Sequence, residues 1–230
     1  MEWTNSLDGL IQWTDLMNRE GKEAVGLEIA GRVHGGEVIG AGSGSTVHVA
    51  LAMIAAKIRE EGLTIRVIPA SAETSMTCMQ LGIPQTTLLE GRPDWTFDGA
   101  DEVDPAHNLI KGRGGAMFRE KLLICSSPLT YILIDQSKWV AHLGERFPVP
   151  VEVFPLAMFW VEEQLYRVGA TEIMLRQDKG KDGPLYTENG NWILDVRFAD
   201  IDPGLEKQIR LIPGVIESGL FMGYHPEVIA

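Results

Sequence analysis

The chain has little cysteine: Cys78 and Cys125 are its only two in 230 residues, and they form no C-x-x-C pair. That excludes a disulfide framework and a thiolate zinc site, and reduced thiols of a cytoplasmic protein are expected. Basic residues are scarce as well, 20 against 32 acidic ones, for a net charge of −12. An acidic surface of this kind argues against non-specific binding to nucleic acid or to anionic membranes. An anionic substrate would need a local basic pocket within that field. The histidines His34, His48, His107, His142 and His225 are scattered without ligand spacing, so no metal is expected. Long apolar runs are missing: the longest, 47–56, contains His48 and falls far short of the ~20 residues of a membrane span. A signal-peptide pattern, internal repeats and low-complexity segments are lacking too.

What the chain does have is the material of a core. Apolar residues make up 45%, enough for a large domain or for a medium one beside a small one. Through the first half, strand-like and helix-like segments alternate. Residues 37–40 read as a short strand that ends in a Gly/Ser loop. A helical stripe follows, with Val47, Ala50, Leu51, Ile54, Ala55 and Ile58 at i, i+3, i+4 spacing. Strands are expected at 64–68, 95–97 and 131–134. Helices are expected at 22–33, at 75–81 closed by Gly82, and at 116–126 stopped ahead of Pro128. This rhythm predicts an α/β fold, a Rossmann-like and mostly parallel sheet with helices on both faces. Ligands of such sheets sit at the carboxyl ends of the strands. The Gly/Ser loop, the turn at Asp98 and the segment after Ile134 should converge there.

The second half changes rhythm. A strand at 149–154 precedes a helix at 160–168 that ends at Gly169. Strands at 171–176 and 192–198 flank a polar loop, then come a helix at 205–211 and a strand at 215–221. The order β-α-β-β-α-β is that of a ferredoxin-like α+β unit. The expected division is a Rossmann-like domain over 1–146 plus 222–230 and a ferredoxin-like small domain over 147–221.

Four segments carry chemistry. Gly42-Ser43-Gly44-Ser45-Thr46 lies between a strand and a helix. Its amides and hydroxyls can cradle a phosphate, or it is a plain βα turn with Ser45 or Thr46 as helix cap. It is neither a Walker loop nor a dinucleotide fingerprint, for want of the lysine and of the third glycine. Asp98-Gly99-Ala100-Asp101 sets two carboxylates across a turn. They can orient sugar hydroxyls or move a proton in ring opening, or they serve as turn and cap residues. Lys111-Gly112-Arg113-Gly114-Gly115 opens the helix that carries Glu120. Lys111 and the loop amides can stabilise a developing enediolate oxygen, or Lys111 is a solvated charge. Glu120 can face a cleft while Arg119 and Lys121 point elsewhere, or it is a surface residue. Lys138, just past the 131–134 strand, can reach a phosphate, as can Lys22; otherwise both are ordinary loop or helix polarity.

Together these stretches resemble type A ribose-5-phosphate isomerase. The likeness runs in order over about 22–221 and includes 42–46, 98–102, 110–116, 119–121, 135–138, 147–153, 190–195 and 212–215. The resemblance implies interconversion of ribose 5-phosphate and ribulose 5-phosphate, in the non-oxidative pentose phosphate pathway, without metal or organic cofactor. It implies Glu120 as the base that carries a proton between C1 and C2 through an enediolate. Asp98 and Asp101, with Gly99 and Ala100 between them, would hold hydroxyls and help to open the ring. Lys111 and the loop Gly112, Arg113, Gly114 and Gly115 would stabilise the enediolate oxygen. Ser43, Gly44, Ser45, Thr46, Lys138 and Lys22 would bind phosphate or neighbouring oxygens. A homodimer or homotetramer is implied, with the small domain contributing contacts between subunits.

The sequence departs from that pattern at a few points. Arg113 stands where the glycine loop usually has Gly or Ala, and Ser43 where Thr is usual. Glu73 replaces part of a Ser/Thr-rich segment, and the chain stops at Ala230, soon after an expected last strand. Two alternatives follow: an isomerase for another phosphorylated aldose, or a non-catalytic sugar-phosphate sensor. Sensors that resemble this fold carry a DNA-binding helix-turn-helix, for which the first 20 residues are too short and too acidic.

Overall fold

A computed structural model describes residues 18–180 and 182–230. Packing gathers the described residues into two compact units, the first over 18–99, 122–136 and 227–230, the second over 100–121, 137–180 and 182–226.

The first unit is built on a parallel sheet. Its strands are β1 (Val38–Ala41), β2 (Arg66–Pro69), β3 (Trp95–Gly99), β6 (Thr130–Leu133) and β12 (Glu227–Ile229). They lie in the order β12-β6-β3-β1-β2, every neighbouring pair parallel. Helices α1 (Arg19–Gly31), α2 (Ser45–Glu61) and α3 (Ala72–Leu81) connect or flank them. The predicted stripe of α2 is the buried one: Val47, Ala50, Leu51, Ile54, Ala55 and Ile58 pack into a core with Ile29, Ile39, Val67, Phe97 and Leu133. Removing these side chains from water is the main favourable term for this unit. Both ends of α3 follow local rules. Ser71 Oγ accepts a hydrogen bond from Thr74 N at 3.1 Å as an N-cap, and Gly82 closes the helix in the left-handed region.

The second unit holds two antiparallel sheets. One contains β7 (Val149–Val153), β8 (Ala170–Leu175), β9 (Trp192–Phe198) and β10 (Val215–Ser218) in the order β10-β7-β9-β8, with helices α5 (Met158–Arg167) and α6 (Leu205–Arg210). This is the order of a ferredoxin-like unit. Val149, Val151, Val153, Val161, Leu165, Leu194, Val196, Leu205 and Ile209 form its core. The other sheet joins β4 (Glu102–Val103), β5 (Leu109–Ile110) and β11 (Leu220–Phe221). Strands of two residues are too short for a period, and the sequence does not announce them.

The strand expected over 215–221 is thus two strands in two sheets. Gly219 is the crossing point: a Cβ there would stand 2.1 Å from Lys111 O and 2.7 Å from Pro150 Cδ. Only glycine lets the backbone of Lys111 approach this closely. Lys111 N donates to Gly219 O at 2.9 Å.

Helix α4 (Met117–Ser126) enters the second unit's packing through a buried cation. Lys121 Nζ donates to Glu206 Oε1 at 2.7 Å, Glu217 Oε1 at 2.9 Å, Ser218 O at 3.0 Å and Leu220 O at 2.7 Å. The ammonium also stands 4.5 Å from the centroid of the Phe221 ring. Removing one member of a buried ionic network strands the others without compensation. Lys121→Met should therefore lower the unfolding free energy by about 3–5 kcal/mol. Urea denaturation checks this, and a loss below about 1 kcal/mol would show that the network contributes no more than a surface pair.

Candidate active site

Two clusters of polar side chains stand out, one in each unit. In the first unit, the Gly/Ser loop leaves β1 and enters α2, and β3 runs beside it. Gly42 N donates to Phe97 O at 2.9 Å, and Ser43 N donates to Asp98 Oδ1 at 3.2 Å. Asp98 is buried, and the same oxygen accepts Gly99 N at 2.7 Å. A Cβ on Gly42 would stand 1.9 Å from Asp98 Cγ. Gly42 is therefore required by Asp98: the carboxylate fills the space that any side chain would take.

Two further contacts fix this loop. Thr74 Oγ1 donates to Gly42 O at 2.6 Å, and Lys22 Nζ donates to Ser45 Oγ at 2.9 Å. Turning the Gly42 carbonyl toward Thr74 leaves the amides at the start of α2 to an anion, where the helix dipole adds its field. Gly44 at φ 93 is the residue before the helix. Ser43 Oγ is buried and makes no hydrogen bond within the protein. Lys22, Ser43, Gly44, Ser45, Thr46, Asp98 and Gly99 thus fall in one neighbourhood. Thr74 was not anticipated, because its spacing of 32 residues from Gly42 leaves no local signal.

The second cluster surrounds Glu120. Lys111 Nζ lies 3.3 Å from Glu120 Oε2, and both side chains are about as buried as core residues, 4% and 5% exposed. Neither is the solvated surface charge that each could have been. The neighbours of Glu120 on α4 point elsewhere, as helical geometry requires. Lys121 enters the ionic network described above, and Arg119 donates to Glu188 O at 2.7 Å and Asn189 Oδ1 at 3.0 Å.

Gly112 at φ 106 and Gly115 at φ 80 bend the loop ahead of α4. Arg113 N donates to Asp101 Oδ2 at 3.4 Å, and Asp101 N donates to Ile110 O at 2.9 Å. The Arg113 guanidinium stands 4.9 Å from the centroid of the Phe147 ring, with Lys138 Nζ at 6.0 Å from the same ring. Ala100, Asp101, Lys111, Gly112, Arg113, Gly114, Gly115, Glu120 and Lys138 belong to this unit. Phe147, the platform for two cations, carries no sequence signal for that task.

The electrostatics of Asp101 are a contest. Burial pushes its carboxyl above the ordinary range, while Lys111, Arg113, Lys138 and the Arg113 amide pull it down. Burial wins. Among the described residues no group of His, Cys, Asp and Glu side chains has the arrangement of a metal site. The donors present are ammonium, guanidinium and amide N–H groups beside carboxylates. That set suits an oxyanion and a proton acceptor.

Comparison with known proteins bears on this geometry. The family model described as ribose 5-phosphate isomerase A (phosphoriboisomerase A) matches residues 66–230. A ribose-5-phosphate isomerase A of Methanothermobacter thermautotrophicus is 42% identical over 211 residues, covering 91% of this chain and 92% of that protein. The homologue of Archaeoglobus fulgidus is 46% identical over 193 residues, covering 82% and 84%. The solved ribose 5-phosphate isomerase A of Methanocaldococcus jannaschii superposes with a TM-score of 0.87 at 43% identity, over 90% of this chain and 92% of that one. A solved D-ribose-5-phosphate isomerase in complex with phospho-erythronic acid gives a TM-score of 0.89 at 37% identity, over 93% and 95%.

The raised carboxyl of Asp101 fixes a sign. Between the ordinary value of 3.8 and its raised value, the folded state binds more protons than the unfolded one. Stability is therefore lost as pH rises through that window. Asp101→Asn removes the ionisation and should raise stability at neutral pH. The gain should vanish below pH 3.8, where Asp101 is protonated in both states. Urea unfolding of both proteins at pH 7 and pH 3.5 checks this; a variant less stable at neutral pH would mean that the three cations outweigh burial.

Proposed function

The chain belongs to the ribose 5-phosphate isomerase A family and is an aldose-ketose isomerase of ribose 5-phosphate; we propose that Glu120 is its base and Lys111 its electrophile. The observation that carries this reading is the buried ion pair of Lys111 and Glu120 at 3.3 Å. A carboxylate beside an ammonium, out of solvent, can take a proton from a carbon while the cation receives the charge that develops on oxygen. The reaction runs through an enediolate to ribulose 5-phosphate. Glu120 removes the proton from C2 of the open-chain aldose and returns it to C1, one atom away. The oxygen proton moves in the same sense, from O2 to O1, leaving the ketone at C2 and the alcohol at C1.

The remaining residues bind and prepare. Asp101 and Asp98 hold sugar hydroxyls and assist opening of the furanose, Asp101 as the carboxylate whose proton affinity burial has raised. Gly99 and Ala100 shape the turn between them. The amides of 112–115 join Lys111 in stabilising the enediolate. Ser43, Gly44, Ser45, Thr46 and Lys22 bind phosphate, supported by the Lys22–Ser45 contact at 2.9 Å. Lys138 and Arg113 add positive charge. Phosphate binding distant from the reacting carbons supplies energy that orients them.

Glu120→Gln should lower kcat by about 10³-fold or more, while phosphorylated sugar still binds. Ketose formation from ribose 5-phosphate and isothermal titration check the two halves of that statement. Unchanged turnover would remove Glu120 from the mechanism. Turnover of the native protein should persist in EDTA, since ammonium and amide donors take the place of a Lewis acid here.

We also propose a cytoplasmic homodimer or homotetramer. No helix among the described residues is long and apolar enough to cross a membrane. Support for assembly comes from α5 and the turn before it, where Leu156, Phe159 and Trp160 are exposed by 91%, 77% and 48%. A Leu156→Glu, Phe159→Glu double variant should sediment as a smaller species than the native protein. Identical sedimentation would place the subunit contact elsewhere.

A further inference from the structure

Arg176 lies just past β8 and takes no part in the assignments above. Its guanidinium is paired with the Asp195 carboxylate on β9: Arg176 Nε donates to Oδ2 at 2.8 Å, and Nη2 donates to Oδ1. The remaining nitrogen, Nη1, donates to two consecutive carbonyls, Gly112 O and Arg113 O, each at 2.9 Å. The Gly115 carbonyl accepts Glu188 N at 3.5 Å from the same β8–β9 hairpin. Gly115 itself packs on that hairpin: its Cβ position lies 3.3 Å from Ile193 Cδ1 and 3.5 Å from Leu185 Cδ2.

A trans peptide unit points its C=O and the following N–H in opposite directions, and every described peptide bond here is trans. Carbonyls 112, 113 and 115 turned to the hairpin therefore direct the amides of Arg113, Gly114 and Ala116 the other way. One of these can be followed to its acceptor: Arg113 N donates to Asp101 Oδ2. The fork of Arg176 thus sets the direction of amides on the face where Asp101 stands.

We propose that Arg176, oriented by Asp195, is a positioning residue that aims the loop amides at the oxygen of the enediolate. The proposal rests on the isomerase reading given above. Arg176 touches no reacting atom and acts through the backbone of Gly112 and Arg113. Arginine is the residue type that can do this. Its planar fork serves a carboxylate on one edge and leaves a donor for the carbonyls, whereas a lysine ammonium offers no fixed plane. The charge of Asp195 keeps the guanidinium from collapsing onto the loop.

Steady-state kinetics of Arg176→Met, Arg176→Lys and Asp195→Asn test the assignment, beside Arg167→Ala in the exposed Arg167–Glu163 pair as control. Misaimed oxyanion donors should lower kcat of Arg176→Met by roughly 10- to 100-fold, with KM changed less than about threefold. Arg176→Lys and Asp195→Asn should fall between, and Arg167→Ala should match the native protein. The second readout is inhibition by phospho-erythronic acid, whose carboxylate presents charged oxygens where an enediolate would. Its Ki should rise in step with the loss of kcat, while inhibition by inorganic phosphate stays the same. Thermal unfolding and active-site titration normalise each variant to its folded fraction. The proposal is overturned if kcat and the phospho-erythronic acid Ki are unchanged in folded Arg176→Met. It is equally overturned if activity and both inhibition constants follow the folded fraction alone. Failure of the native protein to isomerise ribose 5-phosphate would instead sink the isomerase reading.

Discussion

The second unit hangs from one buried ammonium. Lys121 Nζ meets two carboxylates and two main-chain carbonyls within 3.0 Å. Such a cation can leave water only because every direction around it is answered. The answering groups are themselves tied. Glu206 also accepts Met222 N at 2.8 Å and Tyr224 Oη at 3.1 Å, and Glu217 accepts Ser218 N at 2.9 Å. Arg210 reaches the far oxygen of Glu217 at 3.5 Å. The consequence is register. Ser218 O and Leu220 O face Lys121, so Gly219 O, between them, faces the other way and accepts Lys111 N. One extended segment of three residues therefore places both the lysine and the helix of the proposed base. Glu120 sits beside Lys121 in the chain, and its direction on α4 is fixed once Lys121 is anchored.

The first unit solves a different problem, the close approach of two backbones at the carboxyl ends of parallel strands. Here the answer is absence: Gly42 leaves out a side chain so that Asp98 can stand against the loop and accept its amide. The phosphate cradle proposed here would need amides turned outward and carbonyls turned away. Thr74 supplies the second condition through the Gly42 carbonyl, as Arg176 does for Gly112 and Arg113 in the other unit. Both loops thus follow one rule. A polar side chain from a distant element captures the carbonyls, and peptide planarity aims the amides.

How much of this could be read from the sequence depends on range. The stripe of α2, the Gly82 cap, the parallel strand rhythm and the ferredoxin-like order all rest on signals within one or two elements, and they are legible; the Ser71 cap, on a helix that starts three residues earlier than expected, is not. The candidate site residues rest on local patterns too: glycine loops, a lysine opening one of them and a helical glutamate between two basic residues. The rest is long-range. Burial does not distinguish Lys111, beside the proposed base, from Lys121, which is structural; their side chains are equally buried at 4% exposure. Which lysine meets Glu120 is decided by Gly219, some hundred residues away along the chain. The splitting of 215–221 between two sheets and the hold of Arg176 on the loop have the same origin. Each depends on a pairing partner that no window of sequence contains.

Arg113 shows how a glycine loop can carry one bulky, charged side chain without strain. A bulky side chain in a glycine loop invites strain, but only where the backbone is left-handed. Gly112 and Gly115 take that conformation, whereas Arg113 is absent from the non-glycine residues with positive φ among the described ones, which are Asn18, His107 and His225. Its carbonyl is still captured by Arg176, and its amide still faces Asp101. The side chain leaves the loop altogether to lie over Phe147, on the ring that Lys138 also approaches. The arginine side chain therefore adds charge and leaves the path of the backbone alone. It adds a cation to the field that acts on Asp101, where Lys111 and Lys138 already oppose the effect of burial. In a chain of net charge −12, that cation is held by aromatic stacking on Phe147, within reach of the Asp101 carboxylate whose proton affinity it lowers.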